Sequence, residues 1–351
     1  MDFTFNEDQT LLVDSVHKFL MNEVSPELIR ELWNRPSGRS RELWSLLAAQ
    51  GLTGLSVPQS HGGMGLTDSD WVLIAQECGY YALPEPLLDT AWAGAGVIAA
   101  LPDSEFRSQW LTKIADGSAR IALAHPHSPL VADAHLASLI LLPRAGALYA
   151  VPPQLAQLTA QPSVDASRRL YSVDWQAQPA DCIAADAKQI CEEAFNRSAL
   201  AAAAQLLGLT QRMLDLSIDY TAQRKQFGKA VGSYQAVKHH LADVAIKFEF
   251  ARPVVYRAAY ALSQRHPLSA IHVSHAKVAA AEAALLAARH GIQVHGAMGY
   301  TWELDLQIFM KMAWALDAAC GDRSFHLGRV RDFVLKSGTA IGPGHTFEER
   351  F

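Results

Sequence analysis

Apolar side chains recur every three or four positions through most of the chain, which is the spacing of one face of a helix. The pattern starts after Asn6, where an Asn followed by Gln three residues later predicts a helix cap. Further helices are predicted at 41–50, 69–81, 87–100 and 104–116. Helical spacing returns from Ala194 and then persists. These two regions predict a mostly α protein with a helical bundle in its second half.

Residues 119–188 show a different pattern, with short apolar runs interrupted by prolines. LASLILLP and ALYAVP flank the turn residues RAG, which predicts a β-hairpin, and RRLYSVDW predicts a further strand. We therefore expect three domains, namely an N-terminal helical domain at 1–118, a small middle β domain at 119–188 and a C-terminal four-helix-bundle domain at 189–351.

Composition excludes several classes of function. Half of the 351 residues are apolar and the formal charge is -5, so the chain can bury a core and has no overall positive field for nucleic acid or an anionic membrane. The longest apolar runs are too short or too charged to span a bilayer. Four cysteines without C-x-x-C spacing, and an acidic N-terminus unlike an export signal, favour a cytoplasmic location. The histidines show no metal-ligand spacing.

The stretch YTAQRKQFGKAVGSYQAVKHHLADV interrupts a helical pattern with two glycines. Arg224 and Lys225 stand where one helix is predicted to end, Phe227 and Gly228 follow, and a new helix is predicted near Ser233. Arginine binds phosphate oxygens, an aromatic ring stacks on a base, and a turn lets the backbone approach a ligand. The corner is therefore a candidate ligand site, although most basic loops are only solvated surface.

A second segment, QVHGAMGYTWELDL, interrupts a later helix. It places Gln293 in the last helical turn and continues with Gly296 and Gly299. Glycines permit positive φ and the close approach of a cofactor or another chain, but they also end helices. The residues alone leave both interpretations open.

Together these segments resemble the acyl-CoA dehydrogenase family, whose C-terminal domain carries an R-x-x-F-G corner, a helix beginning F-Q and a Q-x-x-G-G-x-G-Y segment. The corresponding residues are Arg224, Phe227, Gly228, Tyr234, Gln235, Gln293, Gly296, Ala297, Gly299 and Tyr300. The VPQSHGGMGLT loop resembles the family's P-x-x-x-G-G-x-G turn, so the likeness extends along the whole chain. The resemblance implies the acyl-CoA dehydrogenase fold and α,β-dehydrogenation of an acyl-CoA.

In that family FAD seats its flavin ring under the middle β domain of one subunit and extends its ADP half to the corner of the neighbour. The resemblance implies that this chain grips the pyrophosphate and adenine of a flavin seated in another subunit. The implied cofactor-binding residues are Arg224, Gln226, Phe227, Tyr234, Gln235, Gln293, Gly296 and Ala297. It also implies an electron-transfer flavoprotein as the electron acceptor.

The sequence departs from the family at the catalytic base. The reaction needs a carboxylate that removes the α proton while hydride leaves the β carbon for the flavin. The family's glutamate in a Y-E-G-T/S stretch corresponds to Cys320, and the glutamate of a second branch corresponds to Ser198. Neither position holds a carboxylate, so the resemblance assigns no catalytic residue to this chain, and no metal site is expected.

The middle domain departs from the family as well. IALAHPHSPLVADA stands where the family has a T-E-P-x-x-G-S-D loop, and the family's W-I-T/S strand has no counterpart. Because it lacks these features, the chain resembles the base-lacking subunit of heteromeric bacterial acyl-CoA dehydrogenases of steroid side-chain catabolism. In those enzymes, unlike subunits share FAD. The resemblance implies an α2β2 heterotetramer whose other subunit supplies the glutamate.

Two alternatives remain open. In one, a nearby carboxylate such as Asp322, Glu303 or Asp305 makes the chain a self-sufficient dehydrogenase or oxidase. Asp322 is then predicted to lie two residues further along a helix than the base position and to point elsewhere. In the other, the chain is a cofactor-free helical scaffold, which would have no need of Arg224 and Gln293 at ligand-facing turns.

Overall fold

The computed structural model describes residues 4–336 of the chain. Its first part is helical, as predicted. The helices are α1 (Glu7–Glu23), α2 (Pro26–Asn34), α3 (Arg41–Ala49), α4 (Asp68–Tyr80), α5 (Ala95–Ala99) and α6 (Glu105–Ala115). A π-helical segment, Leu88–Gly94, leads directly into α5. Within the described residues, no helix is both long and apolar enough to cross a membrane.

The cap predicted at the start of α1 is present. The Asn6 side chain accepts a hydrogen bond from the Gln9 backbone N–H at 2.8 Å, and the Gln9 side chain accepts one from the Asn6 N–H at 3.0 Å. This reciprocal pair satisfies two backbone donors that would otherwise have no partner at the helix end. The sequence prediction for this helix is confirmed.

The middle region contains more strands than the sequence predicted. The strands are β1 (Ile121–Leu123), β2 (Val131–Ala132), β3 (Leu139–Arg144), β4 (Ala147–Val151), β5 (Gln157–Gln161), β6 (Leu170–Asp174) and β7 (Cys182–Ala184). They form one sheet in the order β1-β3-β4-β7 and another in the order β2-β6-β5. The predicted hairpin is β3–β4, and the strand predicted in RRLYSVDW is β6, which belongs to the other sheet.

Long helices return after the sheets. They are α7 (Lys188–Gln223), α8 (Gln235–Ser263), α9 (Ser269–His295), α10 (Leu306–Ala318) and α11 (Arg323–Val334), with a small hairpin of β8 (Lys225–Gln226) and β9 (Lys229–Ala230). Helix α7 begins at Lys188, earlier than the Ala194 that the apolar spacing indicated. Short connections reverse the chain between α7, α8 and α9, so α7 and α9 end on the same side of the bundle.

Two glycines set the approach of α4 to α7. A Cβ added at Gly208 would lie 1.9 Å from the Gln76 carbonyl oxygen, and one added at Gly79 would lie 2.1 Å from the Gln205 carbonyl oxygen. Only glycine allows the two backbones to come this close. The crossing packs α7 deep in the main core, between the N-terminal helices and α9.

Candidate functional site

The predicted ligand corner is a two-residue hairpin at the end of α7. Lys225 pairs with Ala230 and Gln226 with Lys229, so Phe227 and Gly228 form the turn, with φ of 53° and 83°. Such turns prefer Asn or Gly in their first position, and an aromatic residue with positive φ is strained there. The Phe227 side chain is 91% exposed. Packing within this chain therefore does not explain its presence.

The other predicted residues of this corner divide into two groups. Arg224, Gln226 and Gln235 are exposed, and within residues 4–336 the Arg224 guanidinium has neither a hydrogen bond nor an ion pair. Tyr234 is half-buried, donates from its hydroxyl to the Gln226 carbonyl at 3.3 Å, and lies under the Lys229 ammonium, 4.2 Å from the ring centroid. Tyr234 thus holds the hairpin, while the first group faces solvent.

The second predicted segment lies where α9 ends. Gln293, Gly296 and Ala297 are all exposed, and Gly296 has a φ of 62° with nothing within 4 Å of the point that a Cβ would occupy. Gly299 is buried, and a Cβ there would lie 2.6 Å from the Ile292 carbonyl oxygen. The segment is therefore a tight turn whose outer face presents open backbone.

The structure brings the two segments together. Tyr220, one turn before Arg224, stacks on His295 with ring centroids 4.3 Å apart, and its hydroxyl donates to the His295 carbonyl at 3.4 Å. Exposed cationic and amide side chains beside open backbone suit a phosphate-bearing ligand. The residues present at this end of the bundle therefore fit the ADP half of FAD.

A cavity of about 110 Å³ lies among α4, the π-helical segment, the middle sheets, α7 and α10. Its lining includes Ser198 and Cys320, the two positions that the sequence resemblance aligns with the family's glutamates. Sequence reasoning identified both positions but had no means of placing them on one cavity.

Cys320 lies in a turn and not on a helix. Helix α10 ends at Ala318, and Cys320 and Gly321 have φ of 53° and 88°, which a right-handed helix cannot contain. The prediction that Asp322 lies further along a helix is therefore wrong. Asp322 is instead the N-cap of α11, exposed, and accepts a hydrogen bond from the Phe325 N–H at 2.8 Å.

None of the three carboxylates proposed as substitute bases lines the cavity. Asp322 is outside it, Asp305 is ion-paired with Arg30 at 2.5 Å, and Glu303 is exposed. Cys320 does line it, but burial raises the pKa of this thiol to about 11, so it is neutral at pH 7 and a poor proton acceptor.

The turn that carries Cys320 is held by buried polar groups. Lys277 is 1% exposed and donates to the carbonyls of Asp317 at 2.9 Å and Gly321 at 3.5 Å. A ring nitrogen of His326 lies 2.9 Å from the Cys320 carbonyl oxygen. Burial lowers the pKa of Lys277 to about 8 and that of His326 to about 4.

Sequence reasoning missed the charged residues of the cavity. Arg39 and Asp133 form a buried ion pair at 2.7 Å. Glu85 accepts a hydrogen bond from the Ser40 N–H at 2.7 Å and lies 3.6 Å from Arg120. These partners are far apart along the chain, so no spacing in the sequence marks them.

Asp89 is the cavity carboxyl that lies within the π-helical segment. Burial raises its pKa, and π-helical turns often occur at functional sites. A π-turn has no distinctive residue pattern, which is why the sequence predicted an ordinary helix here.

The IALAHPHSPLVADA segment also lines this cavity. Its contributing residues are Leu123, His125, Ser128, Leu130, Ala132 and Asp133. Burial lowers the pKa of His125 to about 4, so the imidazole is neutral.

Comparison with known proteins identifies the relatives of this chain. The family description "Acyl-CoA dehydrogenase, N-terminal domain" matches residues 6–118, and "Acyl-CoA dehydrogenase, C-terminal domain" matches residues 189–335. The acyl-CoA dehydrogenase IpdE2 of Mycobacterium tuberculosis is 32% identical over 313 residues, which cover 88% of this chain and 91% of the relative.

Two solved structures share the fold. The ChsE4-ChsE5 complex from Mycobacterium tuberculosis has a TM-score of 0.86 at 23% identity, covering 96% of this chain and 100% of the matched chain. The Tcur3481-Tcur3483 steroid ACAD has a TM-score of 0.85 at 22% identity, covering 93% of this chain and 98% of the matched chain. The helical, β and helical order expected from the sequence is thus confirmed.

Proposed function

The chain belongs to the acyl-CoA dehydrogenase family, and on this premise we propose that it is one subunit of a heteromeric, FAD-dependent acyl-CoA dehydrogenase. In this proposal the enzyme introduces an α,β double bond into an acyl-CoA thioester. This chain binds the ADP half of FAD, an unlike subunit supplies the catalytic glutamate, and the assembly is α2β2. The proposal keeps the three domains at 1–118, 119–188 and 189–351.

The observation that carries the proposal is the chemistry of the two base positions. Ser198 and Cys320 line one cavity, and neither can accept a proton at pH 7 as a carboxylate would. The ligand corner, by contrast, keeps an unpaired Arg224 and an exposed Phe227 within the described residues. A chain that has no carboxylate at these positions but has a candidate site for the ADP half of FAD is expected to act with a partner subunit that supplies the catalytic base.

FAD, when bound, supplies the hydride acceptor of the reaction. The contribution of this chain is binding: Arg224 would donate to the pyrophosphate, and Phe227 would provide an aromatic face for the adenine. Gln226, Tyr234, Gln235, Gln293, Gly296 and Ala297 complete the proposed site. These assignments come from the family resemblance, and the exposure of most of them supports it.

The names of the relatives support the finer parts of the proposal. The ChsE4-ChsE5 neighbour is a complex of two differently named chains, which supports an unlike partner for this one. The Tcur3481-Tcur3483 neighbour is named a steroid ACAD, which supports a bulky acyl group. We further propose an electron-transfer flavoprotein as acceptor. The four cysteines are unpaired, which supports a cytoplasmic location.

A second candidate function is favoured by Asp89. This carboxyl lines the cavity that also contains Ser198 and Cys320, and burial raises its pKa, which makes the carboxylate more basic. In that case the chain would be a self-sufficient dehydrogenase, and it would need no glutamate from a partner.

Co-purification from the native host, followed by a flavin count per chain, tests the proposal. We expect an unlike acyl-CoA dehydrogenase-like subunit to co-purify, less than one FAD per chain in the complex, and little FAD on this chain expressed alone. One FAD per chain on the lone protein, with turnover abolished by Asp89→Asn, would instead establish the second candidate.

A further inference from the structure

The cavity beside Cys320 contains a buried hydroxyl without a partner. Ser198 is 4% exposed, and its Oγ has no hydrogen-bond partner among residues 4–336. Ser217, a serine of the same helix that is 1% exposed, instead donates to the Met213 carbonyl at 2.7 Å. A buried hydroxyl that forgoes this local hydrogen bond is costly unless something else occupies the cavity and pairs with it.

Two charged groups of the same cavity are also unpaired. Arg168 and Asp89 both line it, and within the described residues neither side chain has a hydrogen bond or an ion pair. Arg168, Asp89 and Cys320 all line this one cavity. Other charged residues of the lining have ion-pair partners: Arg39 pairs with Asp133, and Glu85 lies 3.6 Å from Arg120.

These three groups define the chemistry of a ligand. An alkyl group would leave the guanidinium, the carboxyl and the hydroxyl without partners. An anion would add negative charge beside Asp89 and Asp165, which already line the cavity. A neutral oxygen can accept from Arg168 and Ser198, and a hydroxyl can also donate to Asp89.

The volume of the cavity limits the size of the ligand. A water molecule, which has one heavy atom, needs roughly 10–15 Å³ of cavity volume. The cavity of about 110 Å³ therefore accommodates a ligand of on the order of eight heavy atoms. That is the size of one substituted six-membered ring.

We propose that this cavity binds a neutral, ring-sized organic group bearing a ketone or hydroxyl oxygen, with Arg168 and Ser198 donating to that oxygen. Because Cys320 is a neutral thiol, it accepts no proton from the bound group. The site does not depend on the proposed function, since it needs neither FAD nor a partner subunit. The ring is either the acyl part of a CoA thioester or a free small molecule.

Calorimetric titration of the full-length chain with 4-hydroxycyclohexanone tests the site. We expect saturable binding with one site per chain, weaker binding of cyclohexanecarboxylate, and no binding of toluene. Ser198→Ala should weaken binding of the ketone by about two- to tenfold, and Arg168→Met by about ten- to a hundredfold. Ser217→Ala removes a buried serine of the same helix outside the cavity and should leave the dissociation constant unchanged.

Competition with 4-oxocyclohexanecarbonyl-CoA distinguishes the acyl part of a CoA thioester from a free small molecule as the ligand. Displacement of the ketone by the thioester assigns the site to an acyl group, and failure to displace it assigns the site to a free molecule. If Arg168→Met is unfolded by circular dichroism, Arg168→Lys replaces it, with a smaller loss expected because the planar fork is lost. The proposal is overturned by absence of ketone binding, by equal binding of toluene or the carboxylate, or by unchanged affinity in folded Ser198 and Arg168 variants.

Discussion

The ring of Tyr220 stacks on the ring of His295, and its hydroxyl donates to the His295 carbonyl, which ties the end of α7 to the end of α9. Arg224 follows Tyr220 by one helical turn, and Gln293 precedes His295 by two residues. This aromatic contact, together with the packing of α7 against α9, keeps the two candidate cofactor segments side by side. Their exposed side chains can act on a single ligand only because of this arrangement.

Replacing Arg224 by Ala should weaken FAD retention by the heteromeric complex about ten- to a hundredfold. The change removes a charge-assisted hydrogen bond worth about 1.5–3 kcal/mol but no core volume, so helix content should stay the same. The measurement is flavin absorbance per complex after dialysis, with circular dichroism alongside. Arg41→Ala, at an exposed arginine of α3, is the matched control and should retain flavin normally. Unchanged occupancy in Arg224→Ala would make Arg224 a solvated loop charge.

Replacing Cys320 by Ala should leave the dehydrogenation rate of the complex within about twofold of wild type, because a neutral thiol accepts no proton. Asp322→Asn should also be silent, since Asn keeps the N-cap hydrogen bond of α11. The partner's aligned glutamate changed to Gln should lower the rate roughly a hundredfold to ten-thousandfold. Steady-state assays of the three complexes decide the matter, and inactivation by Asp322→Asn with flavin still bound would refute the partner-base proposal.

Replacing Gly208 by Ala should destabilise the fold by roughly 1–3 kcal/mol or more, since the new Cβ would lie 1.9 Å from the Gln76 carbonyl oxygen and 2.5 Å from the Tyr80 backbone nitrogen. Backbone atoms cannot move aside as a flexible side chain can. Gly328→Ala in α11 is the control, because nothing lies within 4 Å of its Cβ position. It should stabilise by about 0.5–1 kcal/mol. Urea unfolding measures both, and equal midpoints would show that the α4–α7 contact is not tight.

The buried Lys277 should make stability rise with pH in a defined window. Its folded pKa is lowered from 10.5 to about 8, so between these values the unfolded chain binds the extra proton. The free energy of unfolding should therefore increase from pH 8 to 10.5, by on the order of 3 kcal/mol, and this contribution should be flat below pH 8.

Lys277→Met tests this contribution because it removes the titrating group. The slope of unfolding free energy against pH should become shallower in the variant over that window, whatever its absolute stability. Lys238→Met, at an exposed lysine of α8, should keep the wild-type slope. Parallel slopes for wild type and Lys277→Met would contradict the prediction.

Structural features that depend on residues close together along the chain were predictable from the sequence alone. The cap at Asn6, the β3–β4 hairpin and most helices depend on contacts within a few positions, which periodicity and turn chemistry report directly. The family resemblance and the absence of a carboxylate at Ser198 and Cys320 could also be predicted from the sequence. Both depend only on which residues stand at given spacings from the recognised motifs.

Only the tertiary structure decided which of these residues meet. Ser198 and Cys320 share a cavity, Arg39 pairs with Asp133, and Tyr220 stacks on His295 because α7 packs in the core between elements distant in sequence. The turn at Cys320, which corrects the helical placement of Asp322, depends on positive φ at two consecutive residues. Such contacts and dihedral angles arise from packing of the whole chain, and local propensity carries no record of them.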